Sequence, residues 1–211
     1  MLEVYDLKGR LIGVQERREF YRHAREEFAK TGKITRKIKT IRLLLMNSNG
    51  KIYLQKRSKK KKENPGLFDK TVGGHVVKGL NWTVSLTVTL VRECAEELGF
   101  PAAVLTEEEF SDAVKTIDLG VIGVFKQVGH DSNFLSLRKS LDGDFLAPMD
   151  SVFYVGYYDG AICFKDGEAS GVQTFSLEEL EQELREHPEQ FTEDLKYMVK
   201  KFGKHLVPIR R

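Results

Sequence analysis

The stretch that decides the fold is Arg92-Glu93-Cys94-Ala95-Glu96-Glu97-Leu98-Gly99-Phe100. We interpret residues 85–98 as a helix with Ser85 as its N-cap. Gly99 ends this helix, because glycine readily adopts the left-handed conformation that follows a helix. Glu93, Glu96 and Glu97 are spaced i, i+3 and i+4, so the three carboxylates are predicted to share one helix face.

Two interpretations of this acidic face stay open at this point. Like charges three and four residues apart on a helix repel one another. A chain that keeps them together beside a buried sheet is expected to supply a counter-cation, and carboxylate oxygens suit a hard divalent ion such as Mg2+. The alternative is an acidic surface exposed to water, which is common at glutamate-rich helix ends.

Length and composition indicate a soluble globular protein. The chain has 211 residues, enough for one large domain, and its formal net charge of +3 is too small to indicate a nucleic-acid partner by itself. Cys94 and Cys163 do not form a disulfide framework. No apolar run reaches the length of a membrane span, and the N-terminus lacks a signal-peptide pattern. We therefore expect a cytoplasmic protein with no membrane or nucleic-acid partner.

The first part of the chain predicts a strand and helix extension, residues 1–36, packed on a single domain that spans residues 1–211. Apolar residues 2–5 and 11–14 flank a turn-like Lys8-Gly9-Arg10 and predict a hairpin. Residues 16–30 have helical apolar spacing and end at Gly32, and their arginines are typical of a solvated face. Strands at residues 40–46 and 51–56 flank an Asn-Gly turn.

A basic cluster and a pair of glycines follow. Arg57-Ser58 and four consecutive lysines, residues 59–62, form either a solubilising loop or a phosphate clamp, since Arg and Lys both bind phosphate oxygens. A short strand at residues 70–72 leads into Gly73-Gly74-His75-Val76, where the glycines allow close approach of the backbone. A lone histidine such as His75 is either structural or a ligand or base.

The second half of the chain mixes strands and helices without regular alternation, which indicates an α+β fold. Residues 106–113 look helical or irregular, and strands are predicted at residues 117–128, 152–158, 161–164 and 173–175. The polar residues 131–148 predict a long loop of the kind that is often functional. Ser176 and Glu179 form a capping box that opens a helix through residue 185, and residues 188–202 predict a final amphipathic helix.

The segment from Gly74 to Phe100 resembles the Nudix box, G-x5-E-x7-R-E-U-x-E-E-x-G-U, where U is a bulky aliphatic residue. Residues 92–100 match the second half, with Cys94 and Phe100 as loose matches at the U positions. The first half departs from the pattern, because its glutamate falls on Val84 or, in another alignment, on Leu80. In the family this glutamate mainly braces the loop–helix–loop, so its absence bears on the rigidity of the site.

The resemblance extends beyond the box to the branch that contains isopentenyl-diphosphate isomerase and its hydrolase relatives. It is carried by Val4-Tyr5-Asp6, residues 54–58, Asn64-Pro65-Gly66, residues 175–180 and residues 188–192. It implies a Nudix fold, an α/β/α sandwich around a mixed sheet. A homodimer is a reasonable expectation for this fold.

The same resemblance implies a Mg2+ or Mn2+ site on the box helix. Glu93 and Glu97 would be direct ligands, Glu96 a further ligand or a group that orients water, and Arg92 would hold the glutamates in place. Asp150 stands where the branch has a later acidic residue and is a candidate ligand or base.

Substrate binding is assigned by resemblance as well. Arg57 and Lys61 fall where the branch contacts a diphosphate, and His75 joins them as a substrate-binding candidate. A bound Mg2+ would neutralise the diphosphate and acidify a water molecule, and Glu96 or Glu97 could accept its proton. The predicted activity is hydrolysis of a phosphoanhydride in a nucleoside-diphosphate-linked or other diphosphate metabolite.

Two other functions compete with hydrolysis. The missing glutamate and the Thr/Val-rich start of the helix favour a Nudix-fold binding module that has lost catalysis. Retention of the Arg-Glu-x-x-Glu-Glu core opposes it. Isomerase activity is the weaker rival, because Gly73 stands where the isomerase has its catalytic cysteine and residues 32–45 contain no histidine.

Overall fold

The protein, analysed as a computed structural model, is described over residues 1–79, 81–163 and 169–209. Its elements in the first half are β1 (Leu2–Asp6), β2 (Leu11–Gln15), α1 (Arg17–Thr31), β3 (Arg36–Met46), β4 (Ile52–Arg57), β5 (Phe68–Asp69), β6 (Val72–His75) and α2 (Trp82–Glu93). The second half contains β7 (Ala102–Leu105), α3 (Glu107–Thr116), β8 (Gly123–Arg138), β9 (Phe145–Tyr157), β10 (Ala169–Phe175), α4 (Leu177–Glu186) and α5 (Glu193–Phe202). Among these residues no helix has the length and apolar character needed to cross a bilayer.

The strands form one mixed sheet in the order β10-β4-β3-β9-β8-β7. The pairs β3–β9 and β7–β8 are parallel, and β8–β9 and β3–β4 are antiparallel. The short strand β6 pairs with β3 and sets Gly74 opposite Ile41. The predicted N-terminal hairpin is confirmed, and β1 extends it onto the main sheet by pairing with β3.

Helices cover both faces of the sheet, which confirms the predicted sandwich of helices around a mixed sheet. One face packs against α1, α3, α4 and α5 through side chains such as Phe20, Phe110, Leu180 and Leu195. The other face packs against α2 through a smaller core. Its helix residues are Leu86, Leu90, Cys94 and Leu98. The acidic stretch therefore lies at the end of α2 on this face of the sheet, next to β6.

The prediction of a long loop at residues 131–148 is wrong. β8 and β9 pair from Val124 opposite Tyr157 to Arg138 opposite Phe145, which leaves residues 139–144 as a short connection. Buried Phe134 and Ser136 alternate with the exposed Asn133 and Leu135, which is the two-residue period of a strand with one face toward water. The polar composition of residues 131–148 hid the two-residue alternation that is typical of a strand.

Several predicted boundaries also change. The N-cap of α2 is Asn81, whose side chain accepts a hydrogen bond from the Val84 amide at 3.0 Å, and Ser85 is buried inside the helix. The third predicted strand lies outside regular structure at residues 161–163, and Phe164 lies outside the described residues. The final helix begins only at Glu193, after a short helical turn at residues 188–190.

A buried ion network ties α5 to the sheet. The Arg42 guanidinium on β3 lies 3.0 Å from the Asp194 carboxylate, and both side chains are almost fully buried. Ser136 donates a hydrogen bond to the same carboxylate at 2.6 Å. Burial alone would raise the pKa of Asp194, but Arg42 and Lys70 outweigh it and hold this pKa well below its usual range. Asp194 is therefore ionised in the folded protein.

We predict that Asp194→Asn lowers the free energy of unfolding by about 3–5 kcal/mol, because it leaves the buried Arg42 without its counter-charge. Urea denaturation at neutral pH measures this. Glu193→Gln is the matched control, because Glu193 pairs with Lys196 near the surface and its loss should cost within about 0.5 kcal/mol. Equal denaturation midpoints for Asp194→Asn and the control would contradict the role of the network.

Candidate functional site

The acidic stretch ends α2 with a widened helical turn. Residues Cys94–Leu98 form a π-helical turn, and Gly99 closes it with a left-handed φ of 83°, as predicted. The wider turn separates the glutamates that regular spacing would place together. The Glu96 side chain is 66% exposed, whereas Glu97 lines an inner cavity. The prediction that all three carboxylates share one face is therefore only partly met.

Gly74 and Glu93 fit together at this helix end. A Cβ added at Gly74 would lie 2.6 Å from the carboxyl carbon of Glu93, so only glycine lets β6 pack this closely against the buried carboxylate. Register places Gly74 directly beside β3, which fixes the strand. The Gly-Gly pair thus has the close-approach role that the sequence suggested.

Arg92 contacts two of the three glutamates. Its Nη2 donates to Oε1 of Glu93 at 2.5 Å, and its Nε lies 3.7 Å from Oε2 of Glu96. The guanidinium therefore orients the carboxylates and also neutralises part of their charge.

The inner cavity beside Glu97 has a volume of about 60 Å³ and is mostly polar. Its described lining includes five cationic side chains, from Arg17, Arg42, Arg57, Lys70 and Arg138. Three carboxylates line it as well, from Glu63, Asp69 and Glu97. Asp194, behind Arg42 and Lys70, offsets part of this positive charge, and the remaining excess of cations suits an anionic ligand.

The two predicted diphosphate contacts lie in different places. Arg57 lines the inner cavity, where the carbonyls of Glu63 and Asn64 and the Asp69 carboxylate hold its guanidinium. Lys61 lines a wider outer groove that adjoins the cavity. In the basic segment, Arg57 therefore belongs to the cavity wall, whereas Lys61 lines the outer groove.

His75 also lines the cavity, and the Tyr21 hydroxyl of α1 lies 3.2 Å from its Nε2. Burial and the nearby guanidiniums of Arg17 and Arg138 lower the pKa of His75 to about 3. At neutral pH its imidazole is uncharged, so it can donate or accept one hydrogen bond to a ligand but adds no charge.

Asp150 is not brought to the glutamates. Ser151 shares the face of Arg42, with their polar atoms 2.7 Å apart, so the neighbouring Asp150 faces the α2 side of the sheet. There its carboxylate lies 2.5 Å from Nε2 of His130, which contacts Trp82 at the start of α2. The glutamates lie at the end of α2, so the length of the helix separates them from Asp150.

Three cavity residues escaped sequence reasoning: Arg42, Lys70 and Arg138. Arg42 is a charged residue inside the apolar strand predicted at residues 40–46, and this exception to the pattern could have marked it as a site residue. Lys70 begins the strand predicted at residues 70–72, and no pattern in the sequence marks it as a site residue. Arg138 lay within the segment that polarity misassigned as a loop.

A divalent cation fits this site in donor chemistry. Within residues 1–79, 81–163 and 169–209 no three His, Cys, Asp or Glu side chains converge to hold a metal by themselves. Mg2+, however, is commonly bound by one or two carboxylates together with substrate phosphates. Glu93, packed against Gly74, and Glu97, in the cavity wall, supply such oxygens. Glu96 and Asp150 do not join them.

Comparison with solved structures places the chain among proteins of similar fold. The protein DR0079 of Deinococcus radiodurans is 18% identical with a TM-score of 0.59, over 94% of this chain and 96% of that one. The NUDIX domain of Shewanella oneidensis NrtR, complexed with ADP ribose, is 15% identical with a TM-score of 0.52, over 87% and 98%. A NUDIX hydrolase of Alicyclobacillus acidocaldarius is 16% identical with a TM-score of 0.52, over 78% and 90%.

Among curated proteins, none matches this sequence significantly. The narrower resemblance to the isopentenyl-diphosphate isomerase branch stays a prediction. The family model described as NUDIX domain matches residues 36–195, about three quarters of the chain. The chain therefore belongs to the NUDIX domain family, the family of the Nudix hydrolases.

Proposed function

We propose that this Nudix-type hydrolase uses Mg2+ or Mn2+ to cleave a phosphoanhydride bond in a diphosphate-linked metabolite. One observation carries the proposal: the acidic helix end borders a cavity whose described lining is rich in Arg and Lys. Glu93, packed against Gly74, and Glu97, in the cavity wall, stand beside the cations that would receive phosphate.

The size of the cavity supports a substrate with one phosphoryl group inside the cavity and the rest of the molecule outside it. Its volume of about 60 Å³ is well below the roughly 300–1,000 Å³ of pockets that enclose a whole small-molecule ligand. A phosphoryl group therefore suits this space better than a nucleoside does. Arg57, Lys70 and Arg138 would hold that group, which orients the neighbouring phosphorus for attack.

We assign the metal ligands and the base from the positions of Glu93, Glu96 and Glu97 at the end of α2. Bound at Glu93 and Glu97, a divalent ion would neutralise the diphosphate and lower the pKa of a coordinated water. Glu97 is the proposed proton acceptor, because Glu96 points largely to solvent. Arg92 would keep Glu93 oriented through its hydrogen bond, and neutral His75 would contact the substrate.

For the organic part of the substrate we propose a class of compounds and not one molecule. The Shewanella oneidensis NUDIX domain is complexed with ADP ribose, a diphosphate-linked nucleotide sugar. This supports testing nucleoside-diphosphate-linked compounds first.

A catalytically impaired binding module is the second candidate. Arg92 already satisfies part of the charge of Glu93 and Glu96, and the family glutamate is absent, which favours binding without turnover. In one alignment Val84 takes its position, on the first turn of α2 and 42% exposed; in the other it is Leu80, outside the described residues.

The loop is nonetheless braced in another way. The buried Thr89 hydroxyl accepts a hydrogen bond from the Val77 amide at 3.0 Å and donates one to the Ser85 carbonyl at 2.6 Å. This ties the loop after β6 to the middle of α2. It also explains why a threonine, a mediocre helix former, is accommodated there.

We predict that Glu97→Gln lowers kcat/KM by about 100-fold or more in Mg2+-dependent hydrolysis, because it removes the proton acceptor and a metal ligand. Phosphate or mononucleotide release from a panel of diphosphate compounds measures it. Glu108→Gln on the exposed face of α3 is the control and should retain activity. Equal activity in both variants would contradict the assignment; no activity in the unmodified protein, with ligand binding intact, would favour the binding module.

We predict that Thr89→Val destabilises the protein by about 1–3 kcal/mol, because the shape is kept while the Val77 amide loses its acceptor. Thermal unfolding measures stability, and kcat is expected to fall with it as the loop loosens. Thr89→Ser, which keeps the hydroxyl, should retain most of both. A Thr89→Val protein as stable and active as Thr89→Ser would show that this bond does not brace the site.

A further inference from the structure

A wide outer groove of about 1100 Å³ adjoins the inner cavity. It runs between α1 and the basic segment at residues 57–63. Arg17, Tyr21, Arg57 and Glu63 line both spaces, so the groove and the cavity share a wall. A substrate held by one phosphoryl group in the cavity would extend into this groove.

One wall of the groove comes from outside the family match. Helix α1 precedes residues 36–195, and it contributes Arg17, Arg18, Arg22 and Arg25 to the lining. The other wall carries Arg57, Lys61 and Lys62. The sequence predicts a solvated face for the arginines of α1, and the structure leaves Arg17, Arg18 and Arg22 exposed along this groove.

The charges of the groove can accept an anion. Its described lining contains seven cations and five carboxylates. Arg22 pairs with Glu26 at 2.9 Å and Arg25 with Asp142 at 3.2 Å, both with exposed partners. Such exposed pairs are weak and can exchange partners at little cost. Among the described residues Arg18 and Lys62 have no ion-pair partner.

The groove offers little surface for a base. The aromatic residue in its described lining is Tyr21, which is 7% exposed and whose hydroxyl is engaged by His75. Nucleobases commonly stack on exposed aromatic side chains, and Tyr21 does not offer such a face. Arginine forks and lysine ammonium groups instead match phosphate oxygens.

We propose that the outer groove is a subsite for a second phosphate group, supplied by α1. The preferred substrate is then a diphosphate-linked metabolite that carries an additional phosphate away from the scissile bond. This inference rests on the proposed function, because it assumes that the scissile diphosphate occupies the inner cavity. Helix α1 acts in it as a specificity element added in front of the NUDIX domain.

The test compares ADP-ribose with ADP-ribose 2′-phosphate, two substrates that differ by one phosphate. Steady-state kcat/KM is measured for the unmodified protein, for the Arg18→Ala/Arg22→Ala double variant and for Arg185→Ala, an exposed arginine on α4. The unmodified protein and the control should favour the phosphorylated compound by about tenfold, the effect of one charge-assisted contact. The double variant should lose most of this preference. Equal preference in all three proteins, or none in the unmodified one, overturns the proposal.

A binding measurement separates this inference from the hydrolase assignment. Calorimetric titration of inorganic tripolyphosphate without metal requires no turnover. If neither substrate is cleaved, the hydrolase assignment fails, and the titration alone decides the subsite. Weaker binding by the double variant, about tenfold, supports it. Affinities equal to those of the unmodified protein and Arg185→Ala overturn it.

Discussion

The contact between Arg42 and Asp194 is the interaction on which the site depends. It joins the centre of the sheet to α5, and Lys70 and Asp69 extend it to β5 through bonds of 3.1 to 3.6 Å. Thr192 at the start of α5 donates a further hydrogen bond to Asp69 at 2.7 Å. Burying this many charges is costly unless each has a partner, and the network provides the partners. Arg57 and Arg138 also lie within 4.0 Å of these carboxylates, so cations outnumber carboxylates, and the excess positive charge lines one small cavity.

The opposite wall of that cavity depends on a steric constraint. Because Gly74 has no side chain, β6 can lie against the buried carboxylate of Glu93, and the π-helical turn then directs Glu97 inward. Glu97 thus lines the same small cavity as Arg42, Arg57, Lys70 and Arg138. This arrangement can bring a cation and a phosphate together, which is the requirement for metal-assisted attack on a phosphoanhydride.

Much of this was readable from the sequence. Gly99 marked the end of the acidic helix, the glycine pair marked a close approach, and Arg57 stood out as a phosphate contact by resemblance; the structure bears out the helix end and the close approach. These features are local, since each is set by backbone conformation or by a few adjacent residues. Arg42, Arg138 and the position of Asp150 were not readable, because they depend on strand alternation and on pairing between distant segments. The turn that separates Glu96 from Glu97 also has no local signal, because π-helical geometry is imposed by packing.

The account is tested most directly by locating a bound metal. Crystals of the protein grown with Mn2+ and methylene diphosphonate, a diphosphate that resists hydrolysis, would give an anomalous difference map at the manganese absorption edge. The account predicts a manganese peak in contact with carboxylate oxygens of Glu93 and Glu97, with the diphosphonate directed toward Arg57 and Arg138. A peak at His130 and Asp150, or no peak beside the acidic helix end while the diphosphonate occupies the cavity, would contradict it.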